Sequence, residues 1–272
     1  MTHRVHIDDD FDLEKIRTSG QCFRIIREND GAYRAVAGDK VVYIKDLGGG
    51  DYEVSCSPEE WDSFWHGYFD LDRSYSDIRE QCEGANGFID ESMGYGTGLR
   101  ILKQDPWEML ITFIVSQRKN MPAIAKAVEQ LAQRFGTPIE TERGIVYAFP
   151  TPEQLAAASE EDLRDCSLGY RAPYIANTSR QVASGELDLK ALGELDDAAL
   201  FEGLQEARGV GAKVANCVCL FGYGRTSQVP IDVWIARAID EECGGRDPFE
   251  QFGDNAGIMQ QYVFYYMTDR RK

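Results

Sequence analysis

The chain has 272 residues, 43% of them hydrophobic, and a formal net charge of -17 at pH 7. This length allows one large domain or two ordinary ones, and no run of about 18 apolar residues indicates a membrane-spanning helix. The 7 cysteines lack paired spacing, which argues against a disulfide framework or a structural zinc site. Because no signal peptide is apparent either, we expect an intracellular protein, cytoplasmic in a bacterium or nuclear in a eukaryote.

The negative charge is unevenly distributed along the chain. Residues 151–206 contain 12 acids and 4 bases, whereas residues 208–239 contain 4 bases and 1 acid and residues 100–135 contain 6 bases and 3 acids. An acidic total disfavours phosphate-rich partners, so these two basic stretches are either ordinary solvated helices or a local phosphate-binding surface.

The N-terminal part of the chain predicts a small antiparallel sheet. Residues 23–56 contain short runs of β-branched and aromatic residues, separated by glycine-containing turn signals. At Ser57 the pattern changes to that of a helix, with Ser57 as N-cap, Pro58 in the first turn and Glu60 completing a capping box.

Helical patterns are predicted for everything that follows. Asp105 and Pro106 mark the start of one apolar helix, and Asp232 is the expected N-cap of another. Residues 84–98 contain five glycines and are expected to form a flexible joint. The prediction is an α+β protein, with a sheet domain at 1–98 and a helical body at 99–272 that contains a helix–hairpin–helix near 196–222.

A tight glycine turn joins two predicted helices, residues 196–207 and 212–221. Gly209 and Gly211 allow the sharp reversal, and the amides at the start of the second helix could bind an anion. A plain helical hairpin explains the same pattern.

Lys213 opens this second, strongly apolar helix. Desolvation by apolar walls can keep an amine neutral and nucleophilic, although a lysine here can also lie along the surface with its ammonium in water. Asp232 can likewise be only a helix cap. The three histidines, His3, His6 and His66, lie outside the helical body, so a lysine and a carboxylate remain as the candidate catalytic pair.

Residues 209–217 and 229–233 together resemble the hairpin, catalytic lysine and catalytic aspartate of the 8-oxoguanine DNA glycosylases, a family of the helix–hairpin–helix superfamily. The resemblance extends over nearly the whole chain. It implies that Lys213 attacks the C1′ atom of the damaged nucleotide and forms a Schiff base, while Asp232 stabilises positive charge on the sugar.

The resemblance also implies a base pocket. The carbonyl of Gly20 is expected to accept the N7–H of 8-oxoguanine, Gln260 to bind the Watson–Crick edge, and Phe264 and Cys217 to enclose the flat base. The spacing of four residues from Lys213 to Cys217 and from Gln260 to Phe264 places each pair on one helix face.

Further residues are expected to contact DNA, by filling the helix gap, reading the opposite base or binding phosphate: Gln117, Arg118, Lys119, Asn120, Tyr170, Arg171, Gly209, Gly211 and Trp234. Three positions depart from the family pattern. Arg118 stands where strict members have an asparagine, Ala123 where they have a second arginine, and Trp234 where they have a histidine. We therefore expect relaxed selectivity for the base opposite the lesion.

The family resemblance predicts a bifunctional glycosylase and AP lyase that acts as a monomer on double-stranded DNA containing oxidised purines. No cofactor, metal or membrane is expected, and the iron–sulfur cysteines of related branches are missing from the sequence. The alternatives are a monofunctional glycosylase for another damaged base and a non-catalytic hairpin module that only binds DNA. Lys213 separates the first hypothesis from the other two.

Overall fold

The structure, a computed structural model, describes residues 2–270; Met1 and residues 271–272, at the ends of the predicted domains, lie outside this range. Its N-terminal part contains an antiparallel sheet of order β1-β5-β4-β3-β2. The strands are β1 (His3–His6), β2 (Ile25–Arg27), β3 (Tyr33–Ala37), β4 (Lys40–Gly48) and β5 (Asp51–Val54).

The predicted sheet is confirmed, with one strand more than the sequence indicated. Val42, Ile44 and Val54 are all 0% exposed, because alternate residues of β4 and β5 face the core. The additional strand is β1, which pairs with β5 so that His3 lies opposite Val54. Its four residues are too few and too polar to give a strand pattern on their own.

Helices make up most of the remaining structure. In chain order they are α1 (Leu13–Thr18), α2 (Pro58–Glu60), α3 (His66–Tyr68), α4 (Tyr75–Cys82), α5 (Gly87–Tyr95), α6 (Pro106–Ser116), α7 (Met121–Phe135), α8 (Pro152–Ala156), α9 (Glu160–Leu163), α10 (Ala172–Ala183), α11 (Leu189–Gly193), α12 (Asp197–Leu204), α13 (Ala212–Phe221), α14 (Val233–Glu242) and α15 (Ala256–Asp269). Among the described residues, no helix is both long enough and apolar enough to cross a bilayer.

The predicted helix starts are largely confirmed. Ser57 accepts a hydrogen bond from the amide of Glu60 at 3.1 Å, and Asp105 accepts one from Glu108 at 2.8 Å. The capping box at Ser57 is wrong, because the Glu60 carboxylate accepts from Trp65 Nε1 at 2.8 Å instead. A single π-helical turn, Trp61–Trp65, connects α2 to α3.

Two other expectations fail. The helical body contains a β-hairpin, β6 (Pro138–Thr141) and β7 (Gly144–Tyr147), whose strands are too short to give a strand pattern that stands out from the helical patterns around them.

Residues 84–98 are not a joint, since they contain α5, which buries Ile89 and Met93 and packs against α15. The buried side chains of α5 outweigh the low helix propensity of its glycines.

The chain divides into two compact units. Unit 1 comprises residues 1–35, 42–103 and 224–272, and unit 2 comprises residues 36–41 and 104–223. The predicted boundary between residues 98 and 99 stays a prediction, because these units are defined by contacts and the last part of the chain groups with the N-terminal sheet. The predicted α+β class is confirmed.

Candidate active site

Lys213 lies in the first turn of α13, within unit 2. The helix packs against α6 and α12, and all of its residues from Val214 onward are buried except Asn216. Lys213 itself is half-buried, with Nζ 5.2 Å from the ring centroid of Phe113. Phe113 in turn stacks on Phe221 at 5.5 Å. The lysine amine therefore lies over an aromatic ring that comes from α6, which the sequence of α13 did not reveal.

The hairpin before α13 is held by two side chains of unit 2. Gly209 has a φ of +87°, and a Cβ atom there would lie 2.6 Å from Cδ2 of Tyr174, so only glycine fits. Gln117 Nε2 donates a hydrogen bond to the Gly209 carbonyl at 2.9 Å. Gly211 is the N-cap of α13 and has no side chain to cap it, which leaves the first amides of the helix available to an anion.

Asp232 lies in unit 1 as the N-cap of α14, as predicted. One carboxylate oxygen accepts hydrogen bonds from the amides of Trp234 and Ile235, both at 2.9 Å. The second oxygen takes no part in the cap. Trp234 is half-buried, and the guanidinium carbon of Arg237 lies 5.4 Å from its ring centroid.

Gly20 lies in unit 1 between two fully buried polar residues, Ser19 and Gln21, both 0% exposed. The amide nitrogen of Gln21 donates to Ser19 Oγ at 2.9 Å and to the carbonyl of Arg100 at 2.7 Å. Gly20 has a φ of +75°, a conformation that glycine adopts without strain. The direction of its carbonyl is therefore set by a buried hydrogen-bond network.

Helix α15 joins this segment within unit 1. Gln261 Nε2 donates to the carbonyl of Ser19 at 2.7 Å. The neighbouring Gln260 is 3% exposed, yet its Oε1 atom has no hydrogen-bond partner among the described residues. Phe264 is half-buried, whereas its neighbours Val263 and Tyr265 are buried. Gln260 thus has an acceptor without a partner among the described residues, on the same helix as Gln261, which hydrogen-bonds to the residue before Gly20.

The loop predicted to read the opposite base lies in unit 2. Arg171 is 5% exposed and its guanidinium carbon lies 4.3 Å from the ring centroid of Tyr170, which is 45% exposed. Lys119 Nζ donates to the carbonyl of Ser167 at 2.8 Å. Burial, and to a smaller extent the charge of Arg171, lower the pKa of Lys119.

Two neighbouring residues that were predicted to bind DNA occupy different surroundings. Asn120 is the N-cap of α7, and its side chain accepts from the amide of Ala123 at 3.0 Å. Arg118 is exposed and has a φ of +52°, a backbone conformation that is rare for an arginine. The roles of both residues stay predictions.

The structure thus groups the predicted site residues by unit. In unit 2, the side chain of Gln117 hydrogen-bonds to the hairpin, and the side chain of Lys119 hydrogen-bonds to the loop before Tyr170. In unit 1 the structure joins the Gly20 segment to α15. Sequence reasoning missed four side chains that make these contacts: Gln21, Phe113, Tyr174 and Gln261. Their only signal was polar or aromatic character inside apolar patterns, which is too common to be specific.

Two family models together match most of the chain. Residues 4–110 match the N-terminal domain of 8-oxoguanine DNA glycosylase, and residues 111–247 match the HhH-GPD superfamily of base excision DNA repair proteins. The chain is 30% identical over 225 residues to a probable N-glycosylase/DNA lyase of Methanothermobacter thermautotrophicus, covering 72% of this chain and 71% of that protein. The chain belongs to the 8-oxoguanine DNA glycosylases of the HhH-GPD superfamily. The resemblance inferred from the hairpin and its flanking residues is confirmed.

Other relatives extend the comparison. The N-glycosylase/DNA lyase of Saccharomyces cerevisiae is 40% identical over 152 residues, which are 52% of this chain but only 40% of the yeast protein. The Clostridium acetobutylicum 8-oxoguanine glycosylase/lyase, solved with double-stranded DNA that has cytosine opposite 8-oxoG, gives a TM-score of 0.92 at 33% identity and covers 100% of this chain and 99% of that one. The structure of MBOgg1 with a low-affinity DNA ligand gives a TM-score of 0.94 at 39% identity, covering 100% of this chain and 96% of that one.

Proposed function

We propose that this protein removes 8-oxoguanine from double-stranded DNA and then cleaves the strand as an AP lyase, acting as a monomer. Family membership supports the glycosylase and lyase activities. The observation that carries the assignment of the nucleophile is the position of Lys213, half-buried in the first turn of α13 with its amine over the Phe113 ring. The proposed cellular setting is the one expected from the sequence, cytoplasmic or nuclear.

In the proposed reaction, the amine of Lys213 attacks C1′, the bond from C1′ to N9 breaks, and the base leaves with that electron pair and one proton of the amine. The bond from C1′ to the ring oxygen then opens, the oxygen takes the second amine proton, and a Schiff base between lysine and sugar remains. Loss of a proton from C2′ expels the 3′ phosphate by β-elimination, and water finally releases the lysine. The carboxylate of Asp232 stabilises the positive charge that develops on the sugar.

The base contacts in this proposal that lie in unit 1 are those predicted from the sequence. Gly20 and Gln260 supply the polar contacts, and Phe264 supplies an apolar one. The free Oε1 of Gln260 supports its role, because a nearly buried acceptor without a partner is costly unless a ligand satisfies it. The role of Gly20 is supported by the hydrogen bonds that fix the residues on either side of it, Ser19 and Gln21.

Trapping with borohydride tests the lysine mechanism directly. Wild-type protein should form a covalent complex with duplex DNA that contains 8-oxoguanine, and Lys213→Gln should form none while still binding that DNA. Lys190→Gln, which changes an exposed lysine of α11 in the same unit, is the matched control and should trap like the wild type.

The outcomes separate the three hypotheses. Full excision by Lys213→Gln contradicts the assignment of the nucleophile. Excision by the wild type without any trapped complex favours a monofunctional glycosylase. Binding of lesion DNA without excision favours a module that only binds DNA.

A further inference from the structure

Four side chains of unit 2 form a row in which two neighbouring tyrosines lie between two arginines. The guanidinium carbon of Arg171 lies 4.3 Å from the ring centroid of Tyr170, whose ring meets that of Tyr174 edge to face at 6.2 Å. At the other end, the guanidinium carbon of Arg208 lies 5.8 Å from the centroid of Tyr174. This arginine–tyrosine row connects the loop before α10 to the hairpin before α13.

Tyr174 contacts the hairpin backbone as well as the arginine. A Cβ atom on Gly209 would lie 2.6 Å and 2.8 Å from Cδ2 and Cγ of Tyr174, so the turn packs directly against the ring. The residue just before this glycine is Arg208. One aromatic ring therefore limits both the path of the turn and the directions open to the Arg208 side chain.

The charge of Arg208 is not neutralised by an acid. Arg208 is exposed and forms no ion pair with any described residue. Two other exposed arginines of unit 2 do form ion pairs: Arg134 pairs with Asp162 and Asp165, and Arg164 pairs with Glu160. Like Arg208, Arg118 and Arg180 form none with a described residue, but only Arg208 lies in the hairpin beside Tyr174. In a chain with a net charge of -17, an arginine of the hairpin without an acidic partner is a cation that can bind a phosphate.

We propose that Arg208 is a phosphate-binding side chain of this protein and that the ring of Tyr174 positions it. The inference rests on the proposed function, because the phosphate belongs to DNA. Arg208 adds a side-chain cation to the uncapped amides at the start of α13, four residues further along the hairpin. Its restraint by Tyr174 reduces the side-chain entropy lost on binding.

The salt dependence of DNA binding tests this role. Binding is measured for Lys213→Gln, which prevents turnover, with and without Arg208→Gln, on 8-oxoguanine duplex between 50 and 200 mM salt. One lost phosphate contact should reduce the slope of log K against log salt by about 0.9, so that the affinity difference caused by Arg208 shrinks roughly threefold over this range. Arg134→Gln is the matched control and should leave the slope unchanged.

Two variants of Tyr174 test whether its ring positions the Arg208 side chain or only fills space beside the hairpin. Tyr174→Phe keeps the ring and should keep the full slope, since no described residue hydrogen-bonds to the Tyr174 hydroxyl. Tyr174→Leu keeps apolar bulk beside Gly209 but loses the ring face, and should lower the slope as Arg208→Gln does. The double variant, Tyr174→Leu with Arg208→Gln, should lower it no further. Circular dichroism checks that each variant is folded, because loss of fold would abolish binding rather than change its slope.

The inference is overturned if Arg208→Gln keeps the parent slope, or if folded Tyr174→Leu does. Either result leaves the proposed function intact as long as the wild type excises 8-oxoguanine. A wild-type protein that neither binds nor excises 8-oxoguanine DNA overturns both proposals.

Discussion

The Gly20 segment together with α15 in unit 1, which we call the pocket wall because it supplies contacts of the proposed base pocket, is built in the opposite way from the arginine–tyrosine row of unit 2. The wall consists of buried amides and carbonyls joined by hydrogen bonds, such as Gln261 to Ser19 at 2.7 Å. The row consists of two rings between the buried guanidinium of Arg171 and the exposed guanidinium of Arg208, without hydrogen bonds between its members. Fixed donors and acceptors suit recognition of one base, whereas an exposed cation on a ring, such as Arg208, suits phosphates, which are the same at every position of DNA.

The largest effect should come from Asp232, which belongs to neither region. Asp232→Asn should lower the single-turnover excision rate by about 10² to 10³, the scale expected when one charge-stabilising group is lost. Asparagine caps helices as well as aspartate does, so the free energy of unfolding should change by only a few tenths of a kcal/mol, roughly. An excision rate of Asp232→Asn close to that of the wild type, at unchanged stability, would contradict the electrostatic role. Asp232→Ser is a second variant that keeps the helix cap and serves for comparison.

Two neighbouring glutamines, Gln260 and Gln261, should respond differently to substitution by methionine. Gln260→Met removes an acceptor that has no partner among the described residues, so stability should hold or rise while excision of 8-oxoguanine falls about tenfold to a hundredfold, from lost base contacts of roughly 1–3 kcal/mol. Gln261→Met leaves the Ser19 carbonyl buried and unpaired, and should destabilise by about 1–3 kcal/mol.

Urea unfolding and single-turnover kinetics on both glutamine variants provide the measurements. A loss of stability in Gln260→Met that equals the loss in Gln261→Met would mean that Oε1 of Gln260 is not free. Activity of Gln260→Met at the wild-type level would remove this residue from the pocket.

Arg171 should give only partial selectivity for the base opposite the lesion. Arg171 is present, but Ala123 offers no hydrogen bond where strict members have an arginine, and Lys119 is already bonded to Ser167. Each missing base contact removes roughly 1–3 kcal/mol, so the preference for cytosine should be about one to two orders of magnitude weaker than in a strict member.

Single-turnover rates on 8-oxoguanine opposite each of the four bases measure this preference. Ala123→Arg should increase it, and excision opposite adenine should be detectable in the wild type. A cytosine preference above about a thousandfold, or roughly 4 kcal/mol, would contradict the expectation.

The smallest effect should be a pH dependence of stability from Lys119. Burial lowers its pKa in the folded protein below the value of 10.5 for an unhindered lysine, so between these two values the unfolded chain holds more protons than the native one. The free energy of unfolding of the wild type should therefore rise with pH in this window relative to Lys119→Met. Urea unfolding at pH 7 and pH 10 tests the sign, and a fall relative to the variant would contradict the burial of the ammonium.

The elements that local rules determine could be predicted from the sequence. Asp105, Asn120 and Asp232 all cap helices, because a short polar side chain before an apolar run satisfies free amides wherever the run packs. For Asn120 the sequence predicts a DNA contact rather than a cap, because its segment occupies the place where related proteins fill the gap left by the flipped base. The hairpin glycines and Lys213 were also evident, because glycine spacing and a lysine that opens an apolar helix are local signals.

What the sequence could not reveal depends on partners far along the chain. Gln261 bonds to Ser19 across 242 positions, and no local pattern distinguishes it from Gln260, whose acceptor is free. The five glycines of residues 84–98 suggested a joint, yet packing against α15 stabilises a helix there. Tyr174 appeared to be an ordinary residue of α10, and its role emerged only from its contact with Gly209.

Because unit 1 is made of separate parts of the chain, the two units should become folded at different times during translation. Unit 2 is nearly one uninterrupted stretch, residues 104–223, whereas unit 1 draws its last portion from residues 224–272. Because α15 is buried on almost every side, the unit around the N-terminal sheet is completed only after the helix of Ala256–Asp269 has been synthesised. During translation the earliest part of the chain should thus stay sensitive to protease longer than the middle part. Pulsed proteolysis of stalled nascent chains would show this inverted order, and early protection of residues 2–103 would refute it.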